Sequence, residues 1–505
     1  NDGDLDLLIG EKDKVYININ TNGLFNEKLI VAENLSSVGS SEFGDYDNDG
    51  DLDVLVKSRT DIRTQGDFPL VRLYKNLDGI YSNTNIGVRG VDFGKIGWTD
   101  YDGDGDLDIF VIGASNENGS GSSSSQSSPF TTIYSNENGS FYNTDLDIEP
   151  LAGFPDFDFG DIDNDGDLDL VVAGFNGTKL TTKVYFYDKG KYSEYCDLIG
   201  IRNASVAFGD YDNDGDLDLV CTGLDRIDAS ASSSTKLFIN EDGTFEESPF
   251  SSGLPGITGE VNWCDYDNDK DLDLFLIGES RDRNGHVYLL SNEVTFKNTR
   301  PYSPDNLISN VDSNSVTLSW TKSHDDETPS MSLNYNLRIG TSPGIGDVLS
   351  PMSDNLTGIR NIVSKGNSGL INQKTFYNLK PNTYYWSVQA IDNGFEGSAW
   401  APDKSFTVQV NTNSSITTIQ SNSLIFSIFP NPNDGKFRLR FESGKSGEYQ
   451  VQIMNNLGQV QFEKEVYLTN NVNEKKFELS NLSKGSYFIS VFNEFESQTK
   501  KILLK

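Results

Sequence analysis

The strongest constraint on this chain is a nine-residue pattern, Asp-x-Asp-x-Asp-Gly-Asp-Leu-Asp, which recurs five times with one departure at the glycine. The copies begin at Asp45, Asp100, Asp161, Asp210 and Asp265, and the chain opens inside a sixth, Asn1-Asp2-Gly3-Asp4-Leu5-Asp6. Carboxylates at alternate positions of a short loop suit a hard cation, because calcium takes about six to eight oxygen ligands in a flexible shell. In the first complete loop the side chains of Asp45, Asp47, Asp49 and Asp53 are expected to converge on the ion, with Asp51 offering its backbone carbonyl. The equivalent sets are Asp100, Asp102, Asp104, Asp106 and Asp108, then Asp161, Asp163, Asp165, Asp167 and Asp169. Asp210, Asp212, Asp214, Asp216 and Asp218 follow, then Asp265, Asp267, Asp269, Asp271 and Asp273, with Asp2 and Asp6 from the opening copy. Glycine at position six permits the sharp turn. Leucine at position eight (Leu5, Leu52, Leu107, Leu168, Leu217, Leu272) reads as an apolar plug returning the chain to the core. No His or Cys lies in the loops, which sets zinc and copper aside. Like charges this close repel without a cation among them. Calcium, about one per repeat, is therefore expected in preference to a run of solvated acidic turns.

The formal net charge is −36, and the loops hold 28 of the 76 acidic residues, five in each complete copy and three in the opening fragment. Six divalent ions would offset only about 12 of those charges, leaving a protein that repels nucleic acid and anionic membranes. Three cysteines in 505 residues make no disulfide scaffold, and Cys221 and Cys264 read as packing residues. No run of about 18 apolar residues is present, so no membrane span is expected. Because the chain begins without Met inside a loop, further sequence, including any signal peptide, is expected upstream.

Around each loop the pattern predicts four strands. An aromatic residue stands two places before the first Asp (Phe43, Trp98, Phe159, Phe208, Trp263), and an apolar run such as 217–221 follows the last. An alternating strand such as 236–240 comes next, then a tight turn and a final strand near Phe245. Four short strands recurring every 47 to 61 residues, with no helical periodicity, predict an all-β fold containing a β-propeller. The Phe-Gly before the loop and the Gly after it resemble FG-GAP (VCBS-type) repeats, as in the integrin alpha-chain propeller, over residues 1–298. The resemblance implies calcium on the Asp side chains at positions one, three, five and nine. It also implies at least six blades, with seven expected in a full-length chain. Lys270 replaces the turn glycine, so the loop from Asp265 is expected to be the weakest complete site.

In a four-stranded meander the metal loops share one face, and the loops joining strands two and three share the other. Binding loops on a rigid scaffold are therefore sought around Arg59 to Asp67, Asn176 to Thr181 and Ser280 to Gly285. The serine-rich tip at 120–125 reads as a solvated spacer.

Residues 301–408 lose the acidic loops and alternate as a β-sandwich does, with Val316, Leu318 and Trp320, then Tyr384, Trp386, Val388 and Ala390, facing a core. Leu379-Lys380-Pro381-Asn382-Thr383-Tyr384 resembles the tyrosine corner of fibronectin type III domains, which more often space than bind. A polar linker, 409–422, leads to residues 423–505. There Phe429-Pro430-Asn431-Pro432, the alternating Phe437, Leu439 and Phe441, Asn456-Leu457-Gly458 and Lys484-Gly485-Ser486-Tyr487 suggest a second small sandwich. Together with the ending Lys501-Ile502-Leu503-Leu504-Lys505 they resemble the C-terminal sorting domain of type IX secretion. That resemblance implies the type IX machinery as a partner and secretion or surface display by a Gram-negative bacterium. Only two histidines occur, His286 and His324, and no nucleophile elbow, Cys/His pair or phosphate loop is present. Recognition of an extracellular glycan or protein ligand is thus favoured over catalysis. A polysaccharide lyase or hydrolase working through Asp or Glu is the alternative.

Overall fold

The computed structural model describes residues 5–409 and 425–504, apart from 22, 36, 60–68, 78, 85, 116–127, 145, 229–230, 242, 313–314, 430–434, 443–446, 455–459, 469–471, 479–481, 483 and 493–496. Among these residues the protein is all-β, and its one helical turn is the 3-10 segment Pro249–Gly253. The sheets are open and none closes into a barrel. Residues 1–410 form one compact unit and residues 411–505 a second.

Each complete acidic loop joins the first two strands of a repeat. The residue before the loop pairs with position nine after it: Gly44 with Asp53, Thr99 with Asp108, Gly160 with Asp169, Gly209 with Asp218, and Cys264 with Asp273. The strand that follows is a continuous apolar run, as sequence predicts for a strand buried on both faces; Asp108–Ser115 is buried throughout. The second repeat is a four-stranded meander of Val38–Gly44, Asp53–Arg59, Pro69–Leu77 and Ile80–Thr84. The third repeats it with Asp92–Thr99, Asp108–Ser115, Ser128–Glu137 and Ser140–Asn143. The fourth and fifth are fused into one seven-stranded sheet, because the 19-residue strand Lys191–Gly209 ends one repeat and begins the next. The first and sixth contribute three strands each. The regular four-strand unit expected from sequence is therefore seen unmodified in two repeats.

Neighbouring first strands are held side by side by side-chain acceptors rather than by a backbone ladder. Glu42 accepts from the Trp98 N–H at 3.2 Å, Asp156 from Val206 at 3.0 Å, Asp158 from Phe208 at 2.9 Å, and the Ser205 hydroxyl from Val261 at 3.1 Å. Lys95 pairs with Asp156 at 2.5 Å and offsets the buried charge. The glycine before the loop makes room for the next repeat: a Cβ on Gly209 would lie 2.8 Å from both Leu272 Cδ1 and Trp263 Cδ1. The position-eight leucine is therefore a plug, but one that fits the preceding repeat.

Residues 305–408 build two three-stranded sheets, Asp305–Val311, Ser315–Thr321 and Gln373–Tyr377 against Asn334–Gly340, Asn382–Ile391 and Lys404–Val408. Trp320, Tyr335, Tyr384 and Trp386 fill the core between them, and the Tyr384 hydroxyl donates to the Lys380 carbonyl at 2.6 Å. This segment is part of the same compact unit as the acidic repeats.

The second unit pairs a three-stranded sheet, Ile425–Phe429, Lys436–Glu442 and Val472–Glu478, with a four-stranded one, Gly447–Met454, Val460–Leu468, Gly485–Phe492 and Ser497–Leu504. Phe437, Leu439, Val451, Tyr487, Ile489 and Ile502 are in its core. Asn431, Asn456 to Gly458 and most of the linker 409–422 lie outside the described residues.

Gly209→Val is expected to lower stability by about 1–3 kcal/mol, the usual range for overpacking. Chemical denaturation of the full chain checks this, and an unchanged midpoint would show that the repeats do not interlock here.

Candidate metal centres and the opposite face

Position nine anchors each loop. Asp53, Asp108, Asp169, Asp218 and Asp273 are at most 1% exposed. Each accepts one N–H from loop position two and one from the end of the third strand. For Asp218 these are Tyr211 at 2.7 Å and Asn240 at 2.8 Å, and for Asp108 they are Tyr101 at 3.2 Å and Asn136 at 2.7 Å. Position one accepts from positions five and six, as Asp45 does from Asp49 and Gly50, both at 3.0 Å. Position six has a left-handed backbone, φ 91° at Gly50 and 96° at Gly215; Lys270 adopts it too, at φ 74°.

These turns bring carboxylate oxygens of positions one, three and nine within 4.8 Å of one another in the loops from Asp45, Asp100, Asp161 and Asp210. Asp47 and Asp212, at position three, each keep one buried oxygen with no hydrogen-bond partner. Burial pushes Asp45 up to about 7, Asp53 to about 8, Asp108 to about 9 and Asp210 to about 8. Desolvated, like-charged oxygens of this kind are a donor set that a hard divalent cation fits, since its charge reverses the penalty.

The remaining predicted ligands are placed differently. The position-five carboxylates of Asp49, Asp104, Asp165 and Asp214 accept the N–H of position seven. Position-seven Asp106 and Asp216 accept from Asn48 and Asn164 of the preceding loops, at 2.8 and 2.7 Å, so they tie loop to loop. Asp214 and Asp212 also come within 4.8 Å of Glu241, a residue outside the nonapeptide. Lys75 pairs with Asp47 and Asp49, and Lys297 with Asp269 and Asp271, placing ammonium groups beside two of the loops. In the opening copy Asp6 accepts from the Asn20 N–H at 2.7 Å, while Asp2 lies outside the described residues.

Sequence reasoning missed an asparagine that closes the third strand. Asn76, Asn136, Asn240 and Asn292 each donate their Nδ2 to the position-eight carbonyl, and the last three also to the position-two carbonyl of the preceding complete loop. The signal was the Asn-x-x-Gly spacing at 76–79, 136–139 and 240–243. In the fourth repeat Tyr187 stands in that place, and the Tyr192 hydroxyl donates to the Leu168 carbonyl at 2.9 Å.

The acidic-loop face is overlain by residues of the 305–408 sandwich. Phe395 and Val363 join the apolar cluster of Trp263 and Leu272, Lys365 pairs with Asp158 at 3.1 Å, and the Ser332 hydroxyl donates to Asn164. At the other end of the first strands lie Phe93 and Phe154. Both have left-handed backbones, φ 47° and 57°, within irregular pairings of their strands. Each is 53% exposed, and their ring centroids are 5.2 Å apart. Bulky residues rarely hold this conformation without compensation. On the same side, a hollow of about 550 Å³ is lined by Asn203, Ile277, Glu279, His286 and Val287, next to the predicted loop Ser280 to Gly285. In that loop Asp282 accepts from Ser280, Asn284 and His286. In the loop Asn176 to Thr181, Asn176 caps Thr178 and Lys179. Residues 60–67 and the serine tip lie outside the described residues.

Residues 1–56, 100–172 and 161–221 match the FG-GAP-like repeat, and residues 427–505 match the secretion system C-terminal sorting domain. No curated protein matches the chain. Among solved structures it is similar to the extracellular domain of the hybrid two component system BT4673 from B. thetaiotaomicron, at 9% identity, covering 99% of this chain and 91% of that one with a TM-score of 0.32. It is also similar to chicken CNTN1 FN1-FN3 domains, at 10% identity, 69% and 98% coverage and a TM-score of 0.17. A third likeness is dimeric latent PorU from Porphyromonas gingivalis, at 14% identity, 73% and 35% coverage and a TM-score of 0.16. The chain is an extracellular protein with FG-GAP-like repeats and a type IX sorting domain, which directs it to secretion or to the outer cell surface. Among the described residues no helix is long and apolar enough to cross a membrane.

Asn240→Ala leaves two buried carbonyls, Leu217 and Ile162, without this donor. A loss of about 1–3 kcal/mol is expected on denaturation, and a loss below about 0.3 kcal/mol would show that water replaces the amide without cost.

Proposed function

We propose that the acidic repeats form blades of a calcium-stabilised β-propeller, and that this secreted protein recognises an extracellular glycan or protein ligand on the face opposite its metal loops. The segment from 301 to 408 is proposed as a fibronectin type III-like sandwich, on its tyrosine corner and its three-plus-three strands. Positions one, three and nine would hold each ion, with Glu241 adding a ligand to the loop from Asp210. The ion supplies charge compensation and cross-links two strands of the repeat; no chemical step is assigned to it.

The observation that carries the ligand face is the asymmetry of the two ends. The metal loops are overlain by the sandwich, whereas the opposite end exposes the Phe93–Phe154 pair on a backbone that bulky side chains avoid. Exposed aromatic faces give sugars and apolar side chains a contact surface at low entropic cost. The Phe93→Ala, Phe154→Ala double variant should lose retention on a glycan array or target-cell surface while keeping its melting temperature. Full retention by that variant would remove this face from consideration. Incubation with a polysaccharide panel separates binding from turnover: new reducing ends or unsaturated products would make the protein a hydrolase or lyase.

Calcium at about tenfold excess over a site's dissociation constant stabilises by about 1.4 kcal/mol per site. Chelation should therefore lower the melting temperature of the full chain, and equal midpoints in calcium and in chelator would contradict the metal assignment. Lys270→Gly should tighten the weakest site, by relieving the left-handed backbone and removing a positive charge beside the ion. Calorimetric titration against the parent chain reads this directly, and unchanged binding would place the weakness elsewhere.

A further inference from the structure

The position-six glycines of four successive loops each lie beneath a different part of the sandwich. A Cβ on Gly50 would stand 3.5 Å from the Val348 carbonyl, on Gly105 3.3 Å from Ile371 Cδ1, on Gly166 2.6 Å from Met331 Cε, and on Gly215 2.2 Å from the Glu327 carbonyl. Backbone groups of two of these loops, those from Asp45 and Asp210, bond the sandwich directly. The Tyr377 N–H donates to the Asn48 carbonyl at 2.8 Å, Asn393 Nδ2 donates to the Gly215 carbonyl at 2.8 Å, and the Asp210 N–H donates to the Asn393 carbonyl at 3.2 Å. In the loop from Asp265, where the glycine is replaced, Lys270 is exposed. At Gly215, where the facing atoms are backbone, the sandwich itself leaves no room for a side chain, whereas at Gly50, Gly105 and Gly166 it lies in close contact over the turn; the loop whose turn residue is open to solvent carries a side chain.

We propose that the loop face is an intramolecular docking surface for this chain's own sandwich, and that cation occupancy of the four covered loops is thermodynamically linked to docking. This linkage rests on the calcium proposal above. The sandwich contacts loop positions one, four and six, whose placement depends on the carboxylates of positions one, three and nine being drawn together. Without an ion those carboxylates repel, and the carbonyls and N–H groups that meet Tyr377 and Asn393 lose their alignment. Coupling of two equilibria is reciprocal, so a docked sandwich must raise calcium affinity by the factor that calcium raises docking. Calcium would then control how firmly the sandwich covers the loops.

Two measurements on the full chain test this. Calcium should slow hydrogen exchange of the Tyr377 amide about fivefold or more, and the Asn393→Ala, Ile371→Ser double variant, altered only on the sandwich side, should bind calcium about fivefold more weakly. If the double variant does not fold, Ile371→Ser alone and the exchange experiment on the unaltered chain give the answer. Calcium binding by the parent chain with an unchanged Tyr377 amide, or parent-like calcium affinity in the variant, overturns the linkage and leaves the calcium proposal standing. No calcium binding by the parent chain overturns both.

Discussion

The rest of the first unit depends on a buried carboxylate that recurs at the ninth position of each loop. Asp53, Asp108, Asp169, Asp218 and Asp273 each gather an N–H from the loop and an N–H from the third strand, so a single side chain fixes the loop, the second strand and the third strand relative to one another. Two N–H donors do not cancel the cost of burying a carboxylate next to others of its kind. Burial accordingly raises Asp169 to about 8 and Asp218 well above the ordinary carboxylate range. The chain thus builds an unfavourable electrostatic site into these loops, and the proposed divalent cation would turn that site into a cross-link.

Around this anchor, neighbouring repeats interlock by complementary omission and insertion. Glycine before the loop leaves space that the next repeat's aromatic residue and position-eight leucine fill, as Trp263 and Leu272 do over Gly209. Asn240 and its equivalents reach from one repeat to the preceding loop, and Asp156 and Asp158 cap the N–H groups of the next first strand. Contacts between nearest neighbours dominate, as is usual when stability is distributed over stacked repeats. The fusion of the fourth and fifth repeats through Lys191–Gly209 is the extreme case, one strand serving both.

Much of this was legible in the sequence, because carboxylates at alternate positions and apolar runs after them have a short-range cause. The strand after each loop and the aromatic core at Trp320, Tyr384 and Trp386 follow from local pattern; of the four side chains expected to converge, those of positions one, three and nine come together, whereas position five accepts the position-seven N–H. The docking of the sandwich was not legible. Val348, Ile371, Met331 and Glu327 come from separate loops and share no motif, and only their meeting with the turn glycines reveals a surface. Phe93 and Phe154 were missed because in sequence they resemble ordinary strand residues; their positive φ and exposure depend on the irregular pairing of the strands they begin. The asparagine of Asn-x-x-Gly is visible in the sequence, but that its amide joins the carbonyl of its own loop to that of the preceding one is not, because the second partner is 78 to 90 residues away.

The central claim is that a hard cation sits among the carboxylates of positions one, three and nine. Anomalous scattering from crystals grown in calcium, repeated with a lanthanide in its place, tests it most directly. The account predicts an anomalous peak in each of the loops from Asp45, Asp100, Asp161 and Asp210, about 2.3–2.6 Å from the carboxylate oxygens. Loops that hold only water or a lysine ammonium, with no anomalous density under either ion, would contradict it.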